Sequence, residues 1–118
     1  MKNATAQLPL TSTTVDVTTN NSYNILMKIE WDKNKRLSNL QKHKIDFIGS
    51  EEIFDGYTVT IEDESVNYEE QRFITLGKLQ GRIVVAVVHT ERDENIRVIS
   101  IRKATKHEER YYYATITN

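Results

Sequence analysis

Cysteine is absent from this sequence. That excludes disulfides and thiolate-ligated metal, and it fits a reducing, cytoplasmic setting. Glycine is scarce, with four scattered residues and no glycine-rich loop to cradle a phosphate. Long apolar runs are also missing. The longest, Ile83 to Val88, has six residues, against the ~20 that span a bilayer. Near the start, Lys2 is followed by Thr, Ser and Asn rather than by the apolar core of a secretory signal. No nucleophile elbow occurs. The three histidines, His43, His89 and His107, lie far apart and without helical i, i+4 pairing. No zinc site, and no cofactor, is expected from them.

What the chain does have is charge, unevenly placed. The net charge is −1. Residues 45–70 carry nine acids and no Lys or Arg, whereas residues 71–107 carry eight bases against three acids. Residues 28–44 carry six bases against two acids. Two basic arms thus flank an acidic middle, and they form a basic face if they meet in space.

Length allows one domain. Residues 1–26 hold six Thr and four Asn with only Lys2 and Asp16 charged. No helical or strand period holds there, and so polar a segment cannot offset its ordering entropy. It is expected to be a disordered extension, with a domain of residues 27–118 behind it and Met27 as a possible alternative start.

From Met27 the pattern changes. Lys28–Trp31 predicts a strand, and Asp32 an N-cap for a helix to His43 with Leu37 and Leu40 buried. Phe47, Ser50, Glu51 and Phe54 follow a helical spacing that ends at Gly56. Tyr57, Val59 and Ile61 alternate with polar residues as in a strand. After an acidic loop, Asp63–Glu70, strands are expected over Arg72–Gly77, Arg82–Thr90 and Ile96–Lys103. Thr105 and Glu108 form a capping box opening a last helix to about Tyr113. The order β-α-α-β-β-β-β-α predicts an α+β fold in which an antiparallel sheet is packed by helices.

In a regular last strand, Arg97, Ile99, Ile101 and Lys103 point one way, and Ile96, Val98, Ser100 and Arg102 the other. Each face would carry a base, although one must be core. Arginine suits bidentate phosphate contact; solvent-facing charges at strand ends are the plainer reading. His89 ends the most apolar strand, where an imidazole would titrate near neutral pH, or simply pack. In the cluster Tyr111, Tyr112 and Tyr113, one or two rings would pack on the sheet and one face outward, where beside an Arg it could stack a base.

The motifs combine into a resemblance. Trp31, Asp32, Lys35, Asn39, Lys42, His43, Ile45 and Phe47 match the opening of BrnT-type toxins, with Lys44 where that family usually has Gly. Ile53-Phe54-Asp55, Arg72-Phe73 with Gly77, Val88 with Arg92, and Ile96 to Ala104 follow in order, with Ile101 in place of an Ala. Glu108 and Tyr112 complete the match in the last helix. The resemblance covers Met27 to about Tyr113.

It implies a RelE-like fold and a type II toxin that cleaves RNA and blocks translation. The implied partner is a BrnA-like antitoxin, which would bind operator DNA on behalf of the complex. Metal-independent cleavage needs a base for the 2′-OH proton, cations for the phosphorane and an acid for the leaving 5′-oxygen. The resemblance and the charges together nominate Arg72, Arg97 and Arg102 for the phosphate. His89, Glu108 and Tyr112 are nominated for proton transfer, and Lys42, His43, Arg92 and Lys103 for holding RNA. Structural alternatives stand beside them: Glu108 closing its capping box and His43 capping the first helix. Two other functions also compete, an inactive homologue serving only as a co-repressor with the antitoxin, and a plain RNA-binding domain.

Overall fold

The structure, a computed structural model, describes residues 15–18 as backbone alone, and residues 28–64 and 70–117. The predicted loop 63–70 falls largely on residues 65–69, outside the described residues.

The Asp32 side chain accepts the Lys35 N–H at 3.1 Å, as its N-cap role requires, and α1 runs over Lys33–His43. Lys44 ends α1 in the left-handed region at φ 63°, donating its N–H to Leu40 O. A glycine would take that conformation without steric cost. The buried residue of α1 is Asn39, not Leu37, which is 46% exposed. The helix packs along a strand edge rather than onto a sheet face, so it needs a polar contact where an apolar stripe was expected. The second helix, α2, is a single turn, Glu51–Asp55, and buries Ile53 and Phe54.

Six strands form one sheet: β1 (Val15–Thr18), β2 (Ile29–Trp31), β3 (Thr58–Asp63), β4 (Arg72–Leu79), β5 (Ile83–Arg92) and β6 (Asn95–Lys103). Their order across the sheet is β1-β3-β4-β5-β6-β2. The strands β3 to β6 form the expected antiparallel meander, and β2 joins parallel to β6, which makes the sheet mixed. Tight reversals connect the meander; Asp93 and Glu94 both have positive φ, matching the twist of their flanking strands. The strand β1 differs from expectation. Four residues of the extension pair antiparallel with β3, Val15 opposite Ile61 and Val17 opposite Val59. A run of β-branched residues on an open strand edge has the propensity to do this even in a polar context. The rest of residues 1–26 lies outside the described residues.

Helices cover the sheet on both faces. Val85, Val87, Ile96, Val98 and Ile101 pack against Phe47, Ile53 and Phe54 on the first face. Val59, Ile61, Leu76, Val84 and Ala86 pack on the second against Tyr112 of α3 (Lys106–Ile116). Gly77 lets α2 come close: a Cβ there would lie 2.8 Å from Ile53 Cγ2.

One irregularity sets the orientation of the basic residues. Val88 pairs with Ser100 but His89 with Val98, so Ile99 is an extra residue, a β-bulge. The bulge resets the alternation. Ile96, Val98 and Ile101 all reach the first core. Arg97, Ser100 and Arg102 therefore share the second face, and Lys103, opposite Val85, lies on the first. This corrects the regular-strand assignment and removes its conflict over which face is core.

Candidate functional site

Three rows of residues cross the second face. Val59, Leu76, Ala86 and Arg102 are in register in one; Ile61, Ile74, Val88 and Ser100 in the next; Asp63 and Arg72 open the third, which ends with Thr90, Arg97 and Glu30. Arg72 and Arg97 are two strands apart, roughly 10 Å at the usual strand spacing. Helix α3 covers the β3–β4 side. Toward β6, half-buried Val88 and Ser100 form a floor with Arg97 and Arg102 on either side.

Arg92, Arg97 and Arg102 are each paired with an acid. Arg102 forks onto Glu108, Nη1 to Oε1 at 2.8 Å and Nη2 to Oε2 at 2.9 Å. The second half of the capping box lies on the same carboxylate: Glu108 Oε1 accepts the Thr105 N–H, and Thr105 Oγ1 accepts the Glu108 N–H. Burial raises the Glu108 pKa, but the Arg102 hydrogen bond and the Thr105 N–H outweigh it, so the net shift is downward. Donating to the Glu108 carboxylate likewise raises the Arg102 pKa. Arg97 meets Glu30 at 3.4 Å. Arg92 meets Glu70 at 3.5 Å with both side chains about half exposed, a pair of little energetic weight. Arg72 is opposite Asp63 in register.

His89 and Tyr112 are not with them. His89 is fully buried on the first face, stacked on Phe73 and edge-on to Phe54, with Thr75 Oγ1 2.7 Å from Nε2. Burial lowers its pKa to about 4. The β5 alternation sends it away from the arginines. Tyr112 is 2% exposed and donates its hydroxyl to Tyr57 O at 2.9 Å; burial raises its pKa. Of its neighbours, Tyr113 is exposed and Tyr111 packs against the core, as expected.

On the other flank of β6, Lys42 and His43 line a groove of about 390 Å³ between α1 and Ile99-Ser100. No group of three or more candidate ligand residues could hold a metal among the described residues. No described helix is long and apolar enough to cross a membrane.

In sequence Asn39 is only a position of the family match and Ser100 only a strand residue; neither carries a role there. The signal was present for Ser100: apolar residues at 96, 98 and 101 break a two-residue period by one. For Asn39 no local pattern marks its partner, Ile101, 62 residues away.

Residues 31–108 match the family model for the ribonuclease toxin BrnT of type II toxin–antitoxin systems. The crystal structure of the Brucella abortus ribonuclease toxin, BrnT, is similar, with a TM-score of 0.50 and 29% identity, covering 68% of this chain and 99% of that one. No curated protein matches the chain. With two thirds of its length inside the family model and the same α+β architecture as a solved relative, this chain belongs to the BrnT ribonuclease-toxin family.

Proposed function

We propose that this chain is a cytoplasmic, RelE-like endoribonuclease toxin that cuts RNA without a metal, inhibits translation and is neutralised by a BrnA-like antitoxin. The observation that carries the reading is the pair of arginines on either side of the Val88–Ser100 floor, on the family's scaffold. In this reading a 2′-hydroxyl gives its proton to a base, its oxygen attacks the adjacent phosphorus, and a 2′,3′-cyclic phosphate forms. The bond to the 5′-oxygen breaks, and that oxygen takes a proton. Arg97 and Arg102 stabilise the phosphorane, with Arg72 two strands away. Glu108 occupies two of the five donors of Arg102, which leaves others for phosphate.

Glu108, held ionised, suits a positioning role better than that of an acid. Buried His89 and hydrogen-bonded Tyr112 do not suit proton transfer. His43 is the histidine that shares a groove with Ser100, and proton transfer is assigned to it here. Lys42 and Arg92 remain RNA-holding candidates. Lys103 would act only on RNA that wraps past the sheet edge.

Inducible expression with growth and RNA integrity followed together tests the reading. Arrest with RNA fragmentation is expected, and co-expression of a BrnA-like antitoxin should relieve it. A second reading is favoured by one observation, the carboxylate partners of Arg92, Arg97 and Arg102. They would leave the face near neutral, as an inactive co-repressor could tolerate. In that case, wild type and Arg102→Ala would be equally harmless.

A further inference from the structure

The groove between α1 and the bulged edge of β6 differs in charge from the arginine face. Lys35, Ser38 and Lys42 stand on one side of α1 at i, i+3 and i+7, and the groove continues through His43 to Ser100. Among the described residues neither Lys35 nor Lys42 has a carboxylate within ion-pair distance. Asp32 is the acid lining the groove; its Oδ2 accepts the Lys35 N–H, and its single charge stands against the two lysines. The floor is closed by Asn39, whose carboxamide is already bonded to Ile45 and Ile101. Apart from His43, assigned to proton transfer above, what remains for a ligand is two ammonium groups, the Asn34 carboxamide and the hydroxyls of Ser38 and Ser100.

Ser100 belongs to both surfaces. It lies on the floor between Arg97 and Arg102, and it forms the wall of the groove. A chain of phosphates leaving the arginine face at Ser100 would enter the groove directly. A lysine ammonium, a point charge on a flexible stem, suits a backbone phosphate whose orientation is not fixed.

We propose that this groove is a phosphate subsite that grips the RNA strand one or two nucleotides from the scissile position, through Lys35 and Lys42. The inference rests on the RNA-directed reading above, but it concerns binding, so it can be tested apart from cleavage.

The probe is a fully 2′-O-methylated single-stranded RNA oligomer, which cannot be cut by 2′-oxygen attack. Its binding is followed by fluorescence anisotropy over a series of salt concentrations. Each phosphate contact contributes about 0.7 to the slope of log affinity against log salt for a single strand. The double variant Lys35→Ala/Lys42→Ala should lose roughly 1.4 from that slope, with its thermal midpoint close to wild type. The charge-matched control Lys33→Ala/Lys106→Ala, outside the groove, should keep the wild-type slope. An unchanged slope in the groove variant overturns the proposal. So does an equal loss in the control, or failure of the wild type to bind. Cleavage of unmodified RNA is measured alongside. Wild type that binds with the expected slopes but does not cut would sink the nuclease reading and leave the subsite standing.

Discussion

The carboxamide of Asn39 brackets the peptide of Ile101: Nδ2 donates to its carbonyl at 2.9 Å and Oδ1 accepts its N–H at 3.1 Å. Among the described residues, β6 has no neighbouring strand on this side beyond Val98, because β2 is three residues long. Asn39 supplies the two hydrogen bonds that a strand would have made. Replacement by Ala leaves both buried groups unpaired, at about 1–3 kcal/mol for each. Asn39→Ala should therefore lower stability by more than about 2 kcal/mol in urea unfolding. A loss under about 0.5 kcal/mol, the range of ordinary surface substitutions, would refute the bracket's role.

Acid should destabilise the fold well above the carboxylate range. His89 stays neutral in the folded state down to about pH 4, whereas an unfolded His takes a proton near 6.5. The unfolded chain then binds more protons as pH falls from 6.5 to 4, so stability declines across that window. At roughly 1.4 kcal/mol per pK unit the decline is about 3 kcal/mol. Asp46, held near 2 by its hydrogen bond to Arg36, extends the loss below pH 4. His89→Leu should flatten the pH 6.5–4 part of the urea-midpoint curve, with the part below pH 4 intact.

Lys44 occupies the left-handed C-cap of α1 at a steric cost of roughly 1–2 kcal/mol that glycine avoids. Greater freedom of glycine in the unfolded chain offsets part of the gain. Lys44→Gly should raise the thermal midpoint by a few degrees. A lower midpoint would mean that the Lys44 Nζ bond to Gln41 O outweighs the strain.

Gly77→Ala forces a methyl against Ile53 and should cost about 1–3 kcal/mol. Combined with Ile53→Ala, the two losses should be clearly less than additive, since the second removes the atom that is struck. Strict additivity in denaturation would place the damage elsewhere.

Glu108→Gln keeps the shape of the side chain and removes its charge. Arg102 then loses its ionic anchor, and RNA cleavage should fall roughly 10- to 100-fold, as small misplacements do. Arg102→Lys keeps the charge but loses the planar fork, and should be as impaired. Full activity in both would remove the Arg102–Glu108 unit from the mechanism.

Local chemistry made much of this legible. Asp32 and Thr105 each name a helix start through side chains that reach only three residues ahead, and both caps formed. The meander followed from alternation and short connections. What escaped were relationships with no local mark. Asn39 is buried because of a strand 62 residues on. Leu37, apolar in sequence, faces solvent because α1 lies on an edge. Whether His89 titrates or packs was open in sequence, because its burial depends on Phe54 of α2 and Phe73 of β4 closing over it.

Ile99 makes the strand's chemistry depend on counting. Arg97 and Arg102 are five positions apart, an odd interval that would place them on opposite sides of any regular strand. The one supernumerary residue between them acts as a phase inverter. Deleting it would close the bulge and leave Arg97, Ser100 and Arg102 on one face, now by regular alternation, with Val98 and Ile101 still on the other. A regular strand that kept Ile99 is what would turn the segment inside out, sending Arg102 toward the first core and Ile101 into solvent. Deletion of Ile99 should therefore be far better tolerated than deletion of Val87 in unbulged β5, which would move every side chain on one side of the gap to the opposite face.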